Sequence, residues 1–168
     1  MRRMDRKILT LISASVLLVA VVGIVLIARG GDDDKGAAAS GEISTDVTKK
    51  PTIAASSDLP TELVSNDIVE GEGPAAKDGD NLSMQYVGVV TETGEEFDAS
   101  WDRGEPFEFE LGSGNVIKGW DQGIVGMKAG GRRELIIPPD LAYGAAGSPP
   151  AIPANSTLTF VVDLESIN

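Results

Sequence analysis

Residues 116–127, VIKGWDQGIVGM, carry the clearest helical pattern in the chain and decide how the surrounding sequence folds. Their apolar residues recur at i, i+1, i+4, i+8 and i+11, which places them on one face of a short helix. Gly119 and Gly123 each cost roughly 1 kcal/mol relative to alanine in a helix. Because they are spaced i, i+4, we expect them to let this helix lie close against a sheet. The apolar positions are Val116, Ile117, Trp120, Ile124 and Met127.

The segments on either side of this helix alternate between apolar and polar residues with a period of two. Such alternation is typical of antiparallel strands that are buried on one face only. A shorter strand is predicted over 62–69, and a glycine-rich break at 70–74 ends it. The pattern therefore predicts an α+β domain over 58–168, with about five strands and one short helix. The residues that share the apolar strand faces are Leu82, Met84, Tyr86, Phe107, Phe109, Leu111, Arg133, Leu135, Ile137, Leu158, Phe160, Val162 and Leu164.

Composition restricts the chemistry of this domain. All eight aromatic residues lie between Tyr86 and Phe160, and the chain has no His and no Cys. The usual catalytic triads, thiol nucleophiles, disulfides and zinc ribbons are therefore excluded. The composition favours a site that works by shape and apolar burial, with no metal and no cofactor. The net charge of −12 predicts a domain that does not bind nucleic acid.

The amino-terminal part of the sequence has the pattern of a membrane anchor. Residues 8–28 carry no charge, four basic residues lie within residues 1–7, and three aspartates follow at 32–34. A run of this length spans a bilayer core as a helix. We expect 1–7 to be a basic cytoplasmic terminus, 8–28 a transmembrane signal anchor and 29–57 a disordered linker. The domain at 58–168 would then lie outside the cytoplasm, as in a membrane-anchored bacterial protein.

A cleaved signal peptide is the alternative interpretation of the same segment. The small residues Ala37, Ala38 and Ala39 would supply the cleavage site, although they lie far from the apolar run. Cleavage would release the domain as a secreted protein.

Several ordered motifs resemble one family, the FKBP-type peptidyl-prolyl cis-trans isomerases. The resemblance covers residues 61–168 almost without gaps. It implies an antiparallel half-barrel of five to six strands wrapped around one short helix, with a pocket between the helix and the sheet. The motifs are YVG at 86–88, FDASWDR at 97–103, PFEFELG at 106–112, VIKGWDQG at 116–123 and IPPDLAYG at 137–144.

The resemblance also implies the residues of the site. Trp120 would be the floor on which a prolyl ring rests, and the Tyr143 hydroxyl and the Ile117 amide would bind substrate carbonyls. Asp98 would pair with Tyr86 and Arg103. The implied catalytic residues are Tyr86, Asp98, Trp120, Tyr143 and Phe160, and the implied substrate-binding residues are Phe97, Arg103, Phe107, Val116, Ile117 and Ile152.

The activity implied by the resemblance is rotation of X–Pro bonds without a covalent intermediate, metal or cofactor. The implied partners are proline-containing polypeptides outside the cytoplasm, and macrolide immunosuppressants are a further class of ligand. A different function remains open, which is a catalytically weak FKBP-fold chaperone or binding module that holds proline-containing segments.

Overall fold

The computed structural model describes residues 42–168, and within them a six-stranded antiparallel sheet packs against one short helix. The predicted α+β class is confirmed, with six strands where the alternation alone indicated about five. The helix, α1, is Lys118–Gly123. The strands are β1 (Val64–Val69), β2 (Asn81–Val90), β3 (Glu96–Ala99), β4 (Phe107–Glu110), β5 (Arg132–Ile137) and β6 (Leu158–Ile167).

The sheet order is β1-β5-β6-β2-β3, and β4 pairs with β2 beside β3. Residues 81–84 of β2 pair with β4, whereas residues 87–89 pair with β3. The connection between β3 and β4 therefore begins beside Tyr86. Its first three residues, Ser100–Asp102, form a 3₁₀ turn that we call the Trp101 turn. The Ser100 hydroxyl accepts a hydrogen bond from the Tyr86 amide at 2.8 Å, which holds this turn against β2.

Helix α1 lies close to β5 on the inner face of the sheet, as the two glycines predict. A methyl group built on Gly123 would come within 2.7 Å of Leu135 Cδ2. One built on Gly119 would collide with Ile137. The helix is shorter than the apolar pattern of 116–127. It begins only at Lys118, because Ile117 is extended with ψ 149°, and beyond its end Gly126 at φ 81° turns the chain away.

The outer face of the sheet is covered by residues 42–57, which we call the strap. Ile43 and Ile53 are buried there against Val87, Val89 and Val161. The predicted disordered linker is therefore corrected for residues 42–57, since these apolar side chains pack on the domain. The central strands β2 and β6 are consequently buried on both faces, whereas the alternation predicted one exposed face.

A buried ion pair joins the strap to the outer face. The Arg132 side chain is fully buried and donates to both carboxylate oxygens of Asp163, at 2.5 and 2.8 Å. Two further N–H groups donate to the backbone carbonyls of Ser44 at 2.7 Å and Lys49 at 2.9 Å. The guanidinium thus has acceptors on two sides, as a buried charge requires.

The predicted cytoplasmic terminus at 1–7, the transmembrane anchor at 8–28 and the first part of the linker lie outside the described residues. Within residues 42–168, α1 has only six residues, and no helix is long and apolar enough to cross a bilayer.

Candidate active site

A cavity of about 440 Å³ opens between α1 and the inner face of the sheet. Asp98 is the only charged side chain among the residues that line it. The structure brings together every predicted site residue in this lining except Arg103 and Ile152, and it adds Asn115. The lining residues are Tyr86, Phe97, Asp98, Phe107, Asn115, Val116, Ile117, Trp120, Tyr143 and Phe160.

The Trp120 indole is fixed in place by neighbouring rings. It meets Tyr86 at 5.1 Å between centroids and Phe160 at 5.3 Å, both nearly edge-on. Phe109 and Phe107 contact it at 5.7 and 6.1 Å. Edge-to-face contacts of this kind fix the plane of a ring as well as burying it. Because Trp120 is only 4% exposed, it presents a rigid apolar surface to the cavity.

Gly88 provides the space for the wall formed by Phe97 and Phe160. These two rings meet edge-on at 5.5 Å. A methyl group on Gly88 would lie 2.6 Å from Phe160 Cε1 and 2.8 Å from Phe97 Cζ. Such distances are well below van der Waals contact, so a larger residue here would displace the aromatic wall.

A hydrogen-bonded network of three side chains forms the polar edge of the cavity. The Tyr86 hydroxyl donates to Asp98 Oδ2 in a short hydrogen bond. Arg103 donates from Nη1 to Asp98 Oδ1 at 2.5 Å and from Nη2 to the Tyr86 hydroxyl at 2.9 Å. The guanidinium also lies 5.6 Å from the centroid of the Tyr86 ring. Both Tyr86 and Asp98 are therefore held in one orientation.

The two tyrosines of the cavity remain protonated at neutral pH. Burial, together with the hydrogen bond to Asp98, raises the pKa of Tyr86 to about 12. Burial and the nearby Asp98 charge also raise the pKa of Tyr143. Their hydroxyl groups are thus available as hydrogen-bond donors. Tyr143 lies at the rim and is 41% exposed.

The segment that leads into α1 is held by Asp121. Its carboxylate accepts hydrogen bonds from the backbone amides of Gly112 at 2.9 Å and Gly114 at 3.2 Å. Ile117 is the N-cap residue, and its carbonyl accepts from the Trp120 amide at 2.9 Å. The Ile117 amide is not needed for the hydrogen bonds of the helix. Sequence reasoning missed Asn115, although its place directly before Val116 was a usable signal.

The two predicted site residues outside the lining have different positions. Arg103 lies outside the cavity lining and contacts it through hydrogen bonds to Asp98 and Tyr86. Ile152 is 4% exposed and packs into the core of the inner face. Its backbone forms a bridge with Ser148, with two N–O distances of 2.9 Å. It therefore supports the loop beside the cavity.

Comparison with known proteins identifies the family. The sequence profile of the FKBP-type peptidyl-prolyl cis-trans isomerases matches residues 73–165. The chain belongs to this family. The resemblance read from the sequence motifs is thereby confirmed, and the protein is an enzyme of the prolyl isomerase class.

Individual FKBP relatives each match more than half of the chain. The FK506-binding protein of Streptomyces anulatus is 57% identical over 109 residues, which are 64% of this chain and 88% of the relative. FK506-binding protein 1A of Neurospora crassa is 52% identical over 99 residues, or 58% of this chain and 82% of the relative. The crystal structure of AtFKBP13 has a TM-score of 0.61 and 41% identity, covering 66% of this chain and 96% of that one.

Proposed function

We propose that the cavity accelerates rotation about X–Pro bonds in extracytoplasmic or secreted proteins by binding the twisted amide without covalent chemistry. The observation that carries this proposal is a cavity walled by aromatic rings with one charged network at its edge. An apolar space of this kind accepts a prolyl ring. Its hydroxyl–carboxylate pair, Tyr86 with Asp98, is not an activated nucleophile, because the pKa of Tyr86 is raised to about 12.

The physical basis is the loss of amide resonance on rotation. A planar amide is more strongly polarised than a twisted one, and the barrier between the two isomers is about 18–20 kcal/mol. Transfer into an apolar, water-poor cavity therefore costs the planar amide more than the twisted state. This is preferential binding of the transition state. Lowering the barrier by about 5 kcal/mol would accelerate the reaction several-thousand-fold.

Each residue then has a role that its position supports. Trp120 is the floor beneath the prolyl ring, and Phe97, Phe107 and Phe160 enclose it. The Tyr143 hydroxyl and the Ile117 amide bind the carbonyls that flank the proline. Asp98, oriented by Tyr86 and Arg103, sets the electrostatic field at the edge of the cavity. Val116 completes the apolar wall, and Ile152 supports the loop behind it.

Macrolide immunosuppressants are a further class of ligand that we propose for this cavity. The proposal is supported by the names of the relatives, which are FK506-binding proteins, and by the apolar lining. A ligand of this class would compete with proline-containing peptides for the surface of Trp120.

We infer that the domain acts outside the cytoplasmic membrane, because the basic, apolar and acidic segments of residues 1–34 follow the pattern of an anchor or signal. We expect protease added to intact cells that express the full chain to digest the domain, while a cytoplasmic marker survives. Protection of the domain until the cells are lysed would contradict this location. Release of the soluble domain into the medium would indicate cleavage and secretion.

The catalytic proposal is tested by NMR exchange between the cis and trans forms of a short X–Pro peptide, using the full chain. We expect the wild-type chain to accelerate exchange. Tyr143→Phe should reduce kcat/KM about three- to tenfold, because it removes one hydrogen bond to the substrate. Thr61→Val is the matched control, since it removes an exposed hydroxyl outside the cavity and should leave the rate unchanged.

Two results would overturn this proposal. Peptide binding by the folded chain without faster exchange would support the alternative, a chaperone or binding module for proline-containing segments. Equal loss of activity in Tyr143→Phe and Thr61→Val would show that the effect does not arise in the cavity.

A further inference from the structure

The strap holds one lysine at a defined position on the outer face. Arg132 binds the carbonyl of Lys49 at 2.9 Å, so the backbone directly before Lys50 is fixed to the sheet. Ile53 is buried three residues later, and the Ser56 amide donates to the Thr91 carbonyl at 2.8 Å. Lys50 therefore extends from a segment that is anchored on both sides.

The Lys50 ammonium joins two elements that lead to the cavity. It donates to Glu96, the first residue of β3, at 2.9 Å, and to both carboxylate oxygens of Asp102 at 2.7 and 2.9 Å. The two carboxylates raise the pKa of Lys50, with Asp102 as the larger cause. The ammonium therefore remains charged at neutral pH. The strap, β3 and the end of the Trp101 turn meet at this nitrogen.

Successive residues of the Trp101 turn contact opposite faces of the sheet. Ser100 holds the backbone of Tyr86. Trp101 packs against the buried apolar residues of the outer face, which include Ile43 and Ile53 of the strap. Asp102 binds Lys50, and the next residue, Arg103, binds Asp98 and the Tyr86 hydroxyl in the cavity wall. Displacement of Asp102 would therefore move the backbone that carries Arg103.

We propose that Lys50 is a positioning residue for the isomerase site, and that the strap is a working part of the catalytic domain. Lys50 acts through Asp102 and the Trp101 turn, which place Arg103 against Asp98 and Tyr86. The inference rests on the proposed function, because it assumes that this network contributes to isomerisation. Strap and cavity lie on opposite faces of the sheet, and the connection passes around the sheet edge through β3 and the turn.

The test measures peptide exchange by NMR with the full chain carrying Lys50→Met, which keeps the apolar stem and removes the charge. Since a displacement of about 1 Å at a catalytic group can cost up to a hundredfold, we expect kcat/KM to fall about three- to tenfold. Tm should change by only about 3 °C or less, because a partly exposed ion pair contributes little to stability. Lys50→Arg should restore most of the activity, and Asp102→Asn should reproduce the loss.

Lys49→Met is the matched control. Lys49 is the neighbouring strap lysine, and its side chain binds only the partly exposed Asp46 among the described residues, at 2.8 Å. We expect this variant to keep wild-type activity. The Lys50→Met change should also have no further effect when Arg103 has been replaced by Met, because both changes disturb the same network.

These outcomes separate the inference from the proposed function. Failure of the wild-type chain to accelerate exchange would overturn the function itself. If the wild-type chain is active, unchanged activity in Lys50→Met overturns the inference. Equal losses of activity in Lys49→Met and Lys50→Met would show a general structural role of the strap and would also overturn the inference. The same conclusion would follow if Lys50→Met caused its full loss of activity in a chain whose Arg103 had already been replaced by Met.

Discussion

Arg132→Leu is expected to destabilise the domain by about 3–5 kcal/mol, because it leaves a buried carboxylate without its partner. Asp163 is 4% exposed, and both of its oxygens bind the Arg132 guanidinium. The substitution also removes the donors to the strap carbonyls of Ser44 and Lys49. Urea denaturation monitored by circular dichroism would measure the loss in the free energy of unfolding.

The size of this loss should depend on pH. Burial raises the pKa of Asp163 above its ordinary value even beside Arg132, and removal of the guanidinium should raise it further. A carboxyl with a raised folded-state pKa favours the folded state when protonated, and this contribution is lost as pH rises through that pKa. We therefore expect the variant to be less destabilised at about pH 5 than at about pH 8.

Two further variants test whether the loss of stability comes from the unpaired carboxylate of Asp163. Replacing Arg132 and Asp163 together by leucine should recover much of the stability, because no buried charge then remains. Lys128→Leu breaks an exposed pair with Glu70 and should cost about 1 kcal/mol or less. A double variant that is no more stable than Arg132→Leu would contradict the role assigned to the carboxylate.

Asp98→Val is expected to lower kcat/KM for X–Pro isomerisation about tenfold or more, equivalent to at least about 1.4 kcal/mol of transition-state binding. The substitution removes the acceptor of the Tyr86 hydroxyl and the partner of Arg103. It also removes the only charge in the cavity lining. The full chain would be compared with wild type by the same NMR exchange measurement.

The free energy of unfolding of Asp98→Val should show that its loss of activity does not come from unfolding. Asp98 and Arg103 are each 44% exposed, so their pair should contribute about 1 kcal/mol or less to folding. Glu108→Val is the matched control, because Glu108 is an exposed acid on β4 outside the cavity lining. Retained activity in Asp98→Val, or a similar loss in Glu108→Val, would contradict a catalytic role for Asp98.

The inner face of the sheet and the close approach of α1 could be predicted from the sequence alone. Period-two alternation identified the faces of β2, β4, β5 and β6, because each buries one set of residues against the helix. The spacing of Gly119 and Gly123 predicted the close approach of α1. Strand β3 was missed from the alternation, since it has only four residues and pairs with β2 through a bulge.

The outer face could not be predicted in the same way. The strap is rich in small and charged residues, which is the composition of a linker, and its few apolar anchors have no helical or strand period. Its position depends on contacts with residues far along the chain, including Arg132 and Val161. Val87 and Val161 were the available signal, because they are apolar at positions that the alternation assigned to solvent.

Only two tryptophans occur in the chain, and the fold places them on opposite faces of the sheet. Trp120 lines the cavity, whereas Trp101 packs against the apolar cluster beneath the strap. Both indole nitrogens are buried without a hydrogen-bond partner among the described residues. Each face therefore carries its own intrinsic fluorophore. Replacing one tryptophan at a time would let emission from the other report ligand entry or strap docking separately.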